Sequence, residues 1–425
     1  MARRNYIIEV QHLCLWGIFA GMFEGTVSSI VAAKTFGAGP WLITAVMATP
    51  MFSNLVGLVW GTLATGRRKL PLFMLFAAGC AAMIGSVALT PMTSTGGWIF
   101  LGQILLARMM LSGCITVRAS LWKHNYPAVK RGRIAARLQI VRFSLAIATV
   151  ICVSQLFDMN PAIYIYVYPV AATIGGVAVL VIGRLHIRGE HTELKTIAEE
   201  AARRDDGSRL SLLSPLLRMC DVLRRDRAFA RYCLAMMFLG TANMMIMPIM
   251  TIIITKQLYM NYYHSCNLME VLPRVLMMVS LMPWARLFDR VGVVRFRVLN
   301  ACVWASATVT GGIGAWIIAA RGIDAITPFA MAVAFIALSR MGQGLGMGGG
   351  AIAWNIGHLH FAEPAQAEIY MGTHVFLAGT RGMFAPFLGT FLYTYYGPVA
   401  FAVAFLLAAM GAAVFVSLAR EERRR

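Results

Sequence analysis

Long apolar runs alternate along the chain with short polar connections. A helix needs about 20 predominantly apolar residues to cross about 30 Å of hydrocarbon, and twelve runs reach that length. They are Gln11 to Ala33, Pro40 to Leu63, Leu70 to Thr90, Gly97 to Ala119, Leu138 to Phe157 and Ile163 to Gly183 in the first half. In the second half they are Tyr232 to Ile254, Asn267 to Trp284, Val298 to Ala320, Thr327 to Gly349, Gln366 to Phe391 and Pro398 to Leu418. Each is long enough to satisfy its backbone hydrogen bonds within itself, as lipid requires, whereas strands of a membrane barrel would be about 10 residues of alternating polarity. The pattern predicts an all-α polytopic membrane protein of twelve transmembrane helices, arranged as two pseudo-symmetric six-helix bundles. The longest polar stretch, His186 to Arg231, falls between runs six and seven. It divides the chain into an N-terminal bundle over 1–185, a cytoplasmic linker over 186–231 and a C-terminal bundle over 232–425. The Ala/Glu/Arg part of that linker suits either a helix lying on the membrane surface or a solvated connection.

Composition agrees with the pattern. Hydrophobic residues make up 59% of the 425 residues and charged residues only 13%, too little polar surface to cover a soluble globule of this size. The net charge of +20 raises nucleic-acid binding, and the positions of the basic residues exclude it. They gather at Arg3 and Arg4, Arg67 to Lys69, Lys123 to Arg137, Arg184 to Arg231, Arg286 to Arg297 and Arg420 to Arg425, whereas the opposite connections hold only Lys34, Lys256 and Arg321. This asymmetry places both termini in the cytoplasm. The bilayer is therefore the basic residues' setting, and no nucleic-acid partner is expected. The eight cysteines are scattered and imply neither disulfides nor a metal framework. The N-terminal apolar stretch resembles a signal peptide, but Glu24 interrupts it and the run continues to spanning length, so it reads as an uncleaved first helix. The absence of an Asn-x-Ser/Thr sequon fits a bacterial inner membrane.

The halves also match in detail. Arg108 in run four precedes Trp122 by the same interval that separates Arg340 in run ten from Trp354. Internal repeats with a site at their interface are common in secondary transporters. Between runs two and three the chain reads GTLATGRRK, Gly61 to Lys69, and between runs eight and nine ARLFDRVGVVRFR, with Asp289, Arg290 and Gly292. Run ten reads SRMGQGLGMGGG, with Arg340, Gln343, Gly344 and Gly346. These segments resemble the major facilitator superfamily, whose loop signature is G-x-L-a-D-R-x-G-R-R/K and whose helix pattern is R-x-x-Q-G-x-G. The first loop copy is shortened and has Thr65 where the family has aspartate; run four keeps only Arg108 and an out-of-register Gly113. The resemblance implies alternating access, with helices three, six, nine and twelve against lipid and the others around a cavity.

Ionisable residues inside spans mark functional positions by default. Runs three, six, nine and twelve hold none, whereas Glu24, Arg108, Arg118, Arg142, Glu270, Arg274, Arg340, Glu368 and Arg381 occupy the others. Burial of a carboxyl shifts it toward proton exchange, so Glu24 is the candidate for proton coupling, or else the fixed partner of Arg108. Glu270 and Arg274, spaced i, i+4, form a local pair. Arg108, Arg340 and Arg381 are candidates for binding a carboxylate or phosphate through the guanidinium fork, or for holding helix ends and gates. Asn243, Gln343 and Thr241 could orient the solute, and Arg118 and Arg142 are assigned to gating or snorkelling. His374 is a secondary proton-coupling candidate; His358 and His360 read as packing residues. Pro248 predicts a kink in span seven. Asp289, Arg290, Arg67 and Arg68 read as conformational latches, or as charges stabilising helix ends.

The glycine-rich end of run ten lacks the strand and Gly-Lys-Ser/Thr of a nucleotide loop, no catalytic constellation is visible in the loops, and no cofactor is expected. The expected function is secondary active transport of a small anionic or zwitterionic solute, coupled to protons and carried by a monomer in the inner membrane. The alternatives are a drug or metabolite efflux antiporter, against which the missing G-x-x-x-G-P-x-x-G-G pattern of span five argues, and a transport-inactive membrane sensor or scaffold.

Overall fold

A computed structural model describes residues 2–64, 66–126, 128–187, 213–362 and 367–424. The chain divides into two compact units, Met1–Ser208 and Arg209–Arg425. The first holds α1 (Ala2–Gly21), α2 (Val27–Lys34), α3 (Pro40–Ala64), α4 (Lys69–Gly85), α5 (Ser94–Asn125), α6 (Ala128–Met159) and α7 (Tyr164–Ile182). The second holds α8 (Leu213–Arg225), α9 (Arg227–Ile252), a single-turn α10 (Tyr262–Cys266), α11 (Leu272–Val291), α12 (Val293–Arg321), α13 (Ile326–Ile356), α14 (Ala367–Tyr396) and α15 (Val399–Arg424). No strand occurs among the described residues. Ten helical segments among them are long and apolar enough to cross a membrane; the other two predicted spans correspond to α1 with α2, and to α3.

The same packing recurs in each unit. In the first, α1 packs on α6 and α7, α5 on α3 and α4, and α4 on α7. In the second, α9 packs on α14 and α15, α13 on α11 and α12, and α12 on α15. Substituting span one for seven, two for eight and so on converts one list into the other. The repeat inferred from two arginine-to-tryptophan intervals is thus a repeat of helix packing.

The first span departs from prediction. The continuous helix expected from Gln11 to Ala33 breaks at Met22–Thr26, where Gly25 takes φ +74°. A break at this depth frees carbonyls that lipid cannot satisfy, so protein groups have to reach them. Close approach of α6 helps. A Cβ on Gly17 would lie 2.7 Å from the carbonyl of Arg142, and one on Gly21 would lie 2.9 Å from that of Ala146. These two glycines, one helical turn apart, bring α6 against the broken segment.

The α9 helix continues through Pro248 to Ile252, then widens into a π-helical turn at Ile253–Gln257; a second π turn, Asn267–Val271, precedes α11. The Ala/Glu/Arg segment of the linker and Thr65 lie outside the described residues. Within the linker, α8 carries LSPLLRMCDVLRR, with an exposed Arg225–Asp221 pair one turn apart.

Candidate functional site

The break in span one organises the polar groups of the first unit. Phe23, inside the break, presents its carbonyl to two donors: Arg108 Nη2 at 2.7 Å and the Ser28 hydroxyl at 2.7 Å. The Arg108 guanidinium also lies over the Phe23 ring, 5.4 Å from its centre. Glu24, next in sequence, forms a buried ion pair with Arg142 of α6. The expected Glu24–Arg108 ion pair is therefore corrected: the carboxylate bonds Arg142, while Arg108 braces the backbone beside it. Arg142 in turn is no snorkelling residue, because the close approach of α6 to α1 carries it inward.

Along α1 toward the N-terminus lie two further groups that sequence reasoning passed over. His12 Nδ1 donates to the Ala178 carbonyl at 2.9 Å, which leaves Nε2 to accept from Arg118 at 2.9 Å. The ring stacks on Trp16 and meets Phe73, above which Arg118 also sits. Glu9 accepts from Trp122 Nε1 at 2.6 Å and from the Tyr126 hydroxyl at 2.9 Å. Burial raises the Glu9 carboxyl above its ordinary range, against the lowering effect of those two bonds and of Arg118. Burial, reinforced by Glu9, likewise raises the Tyr126 phenol. The signal for Glu9 and His12 was their i, i+3 spacing on one face of α1, hidden because both precede or open the apolar run.

In the second unit Arg340 is 1% exposed and its fork is filled by protein. It donates to the Met269 carbonyl at 2.6 Å and the Leu268 carbonyl at 3.4 Å, and its remaining partners are the Gln343 amide oxygen and the Met247 sulfur. Leu268 and Met269 belong to the second π turn, whose irregular backbone leaves carbonyls for a side chain to take. Arg108 and Arg340, matched by sequence interval, thus do matching work: each holds a carbonyl where a span loses α-helical regularity. Gln343 reaches Ser339, whose hydroxyl donates to the Ala307 carbonyl. The Glu270–Arg274 pair forms as expected, on that π turn and the helix after it.

Arg381 donates to the Met236 carbonyl of α9 and lies flat against Gly240. A Cβ on Gly240 would fall 2.0 Å from the Arg381 guanidinium carbon. Alanine normally gains about 1 kcal/mol over glycine within a helix. At this position we expect Gly240→Ala to reverse the sign and cost about 1–3 kcal/mol through overpacking. Differential scanning fluorimetry checks it: Gly240→Ala lowers Tm, and adding Arg381→Ala to it recovers part of the loss.

The remaining candidates divide. Asn243 is half-buried, and its Oδ1 is buried without a hydrogen-bond partner. Thr241 is buried beside it in sequence. His374 packs against Trp354 and Tyr232, with ring centres 4.5 and 6.4 Å away, and its Nε2 has no hydrogen-bond partner. His360 meets Glu422 at the surface. Asp289 and Arg290 are exposed at the end of α11, where Gly292 at φ +76° turns directly into α12; no ion pair to Asp289 occurs among the described residues. Arg67 and Arg68 are exposed after Gly66, at φ +68°. The side chain of Glu368 lies outside the description.

Among the described residues no group of three or more His, Cys, Asp or Glu side chains could hold a metal ion. The arrangement is one of buried arginines and carboxylates paired across helices or bonded to backbone carbonyls.

No family model matches the chain, and no curated protein matches it in sequence. Solved structures match it in fold. A mutant of the nucleoside transporter NupG superposes with a TM-score of 0.66 at 12% identity, covering 98% of this chain and 99% of that one. A D-xylose-proton symporter gives 0.66 at 11% identity, covering 96% of each chain. A POT family transporter in complex with a thioalcohol-conjugated peptide gives 0.65 at 11% identity, covering 100% of this chain and 96% of that one. The likeness covers nearly the whole of each chain and is one of fold, the all-α polytopic fold of these transporters.

Proposed function

We propose that this chain, having the fold of the major facilitator transporters, is a secondary active transporter that couples a small anionic or zwitterionic solute to protons. The observation that carries this reading is Glu24: a buried carboxylate on a broken span, opposite an arginine on another helix. Protonation of Glu24 removes its charge and with it the attraction to Arg142, freeing the Met22–Thr26 break to change shape. A D-xylose-proton symporter among the structures of this fold supports the coupling ion. His374 is the second proton site of the proposal.

The solute set comprises Arg108 in the first unit and Arg340, Gln343, Arg381 and Asn243 in the second. Asn243 Oδ1 and Arg381 Nε retain unused hydrogen-bonding capacity. Positive charge that burial does not abolish favours a carboxylate- or phosphate-bearing solute. The latch groups are Asp289 with Arg290, and Arg67 with Arg68. In this proposal the chain works as a monomer in the inner membrane, and the distribution of its basic residues supports cytoplasmic termini.

A thermal-shift screen of carboxylates, amino acids, peptides and sugar phosphates supplies the test solute. In proteoliposomes we expect Glu24→Gln to abolish accumulation driven by a pH gradient, at least about tenfold below wild type, while solute exchange across the membrane persists. Undiminished concentrative uptake by that variant would remove proton coupling from Glu24.

A further inference from the structure

The second unit contains a buried cluster of basic groups in which Arg297 and His358 join Arg381 and His374, two residues of the proposed solute and proton sites. Arg297 of α12 is 2% exposed, His374 of α14 3%, Arg381 of α14 5%, and His358, in the turn after α13, 5%. Each leaves one buried nitrogen without a hydrogen-bond partner: Arg297 Nη2, Arg381 Nε, His374 Nε2 and His358 Nδ1. They gather along one stretch of α9: a Cβ on Gly357, next to His358, would lie 2.4 Å from the Tyr232 hydroxyl oxygen, and Arg381 bonds the Met236 carbonyl one turn further on. Arg297 Nε meets the Tyr232 hydroxyl at 3.3 Å with its guanidinium 6.0 Å from that ring, and His374 packs on the same ring. The electrostatic neighbours of His374 are Arg297, Arg381 and His358, all basic.

Two guanidinium charges thus lie near two imidazoles with no carboxylate among the described groups to balance them. Three acids at this end of the unit are committed elsewhere: Asp226 caps α9 through the Phe229 amide at 2.9 Å and accepts from the Tyr370 hydroxyl at 3.0 Å, while Glu421 and Glu422 meet Arg231 and His360 at the surface. Burial holds His358 below the ordinary imidazole range, so it adds a hydrogen-bonding group and not a third charge. Each buried polar group left unpaired costs about 1–3 kcal/mol, and more when charged. A negatively charged acceptor lodged among them offsets the two guanidinium charges and gives the unpaired N–H groups a partner.

We propose that Arg297, Arg381, His374 and His358 form a binding site for a small inorganic anion, of the size of chloride or phosphate, inside the second unit. Arg297 is the added element: it comes from the basic connection before span nine, and α12 carries its side chain into the unit. The proposal is independent of transport, because it concerns occupancy of one unit and needs no gradient.

The test uses the full-length purified protein in detergent, titrated with sodium chloride or sodium phosphate against sodium gluconate at constant ionic strength. Differential scanning fluorimetry should show a saturable rise in Tm with the small anions, about 2–4 °C at roughly five times Kd, and none with gluconate. His374→Gln and Arg297→Gln should each weaken the apparent anion affinity at least about tenfold. If wild-type Tm responds equally to all three salts, the site does not exist. If it responds specifically but both variants keep wild-type affinity, the anion binds elsewhere and the assignment fails. A solute-transport assay on the same preparations separates the readings: anion-dependent stability with uptake unaffected by the anion marks a resident ion, and competition with uptake marks the anionic group of the solute itself.

Discussion

Arg340→Ala should strip the second unit of about 3–5 kcal/mol, the largest single loss expected from any candidate solute residue. The side chain is almost wholly buried, and removing it orphans the Met269 carbonyl, the Leu268 carbonyl and the Gln343 amide oxygen together. A buried polar group left without its partner costs about 1–3 kcal/mol, and membrane surroundings offer no water to replace the arginine. The expected readings are a fall in Tm and a loss of monodisperse protein on gel filtration after detergent extraction. Arg340→Lys should recover only part, since an ammonium cannot spread donors over the π turn and Gln343 as a planar fork does. A stable Arg340→Ala protein with wild-type Tm would sink the bracing role and leave solute contact as its explanation.

Arg142→Gln should destabilise the protein more than the double replacement Glu24→Gln with Arg142→Gln. The single change leaves Glu24 charged in a site where its side chain is 12% exposed and its partner is gone. Uncompensated buried charge costs about 3–5 kcal/mol, whereas neutralising both partners together is often close to neutral. A double-mutant cycle on Tm measures the difference directly. Additive effects would mean that Glu24 and Arg142 do not sense one another, and the coupling proposed for Glu24 would lose its structural basis. Read alongside the Glu24→Gln transport assay, the cycle separates two roles: stability reports the pair, and gradient-driven uptake reports the proton.

Both predictions concern residues whose importance was legible in the sequence and whose partners were not. An arginine or glutamate within an apolar run is conspicuous because lipid makes it expensive. Its partner depends on which helix lies alongside and at what height. Glu24 was matched with Arg108, a charge of opposite sign in the same half, whereas Gly17 and Gly21 admit α6 and so deliver Arg142. Arg297 illustrates the reverse failure. In the sequence it is one of several basic residues in the connection between runs eight and nine; in the fold α12 buries it against Tyr232. Glu9 and His12 were missed for a related reason, since the apolar run that defines the first span starts at Gln11.

The spans, the charge asymmetry across the membrane and the division into repeated halves follow from the sequence alone. Hydrocarbon thickness sets a run length, and the cost of moving positive charge across the membrane sets which loops carry it; neither requires knowing how helices pack. Backbone irregularities and partners were decided by tertiary structure. The break at Met22–Thr26 persists because Arg108 and Ser28 satisfy the carbonyl it frees, and the π turn at Asn267–Val271 because Arg340 does the same. A hydropathy pattern registers how apolar each segment is, whereas the satisfaction of a carbonyl depends on a side chain brought to it from another helix.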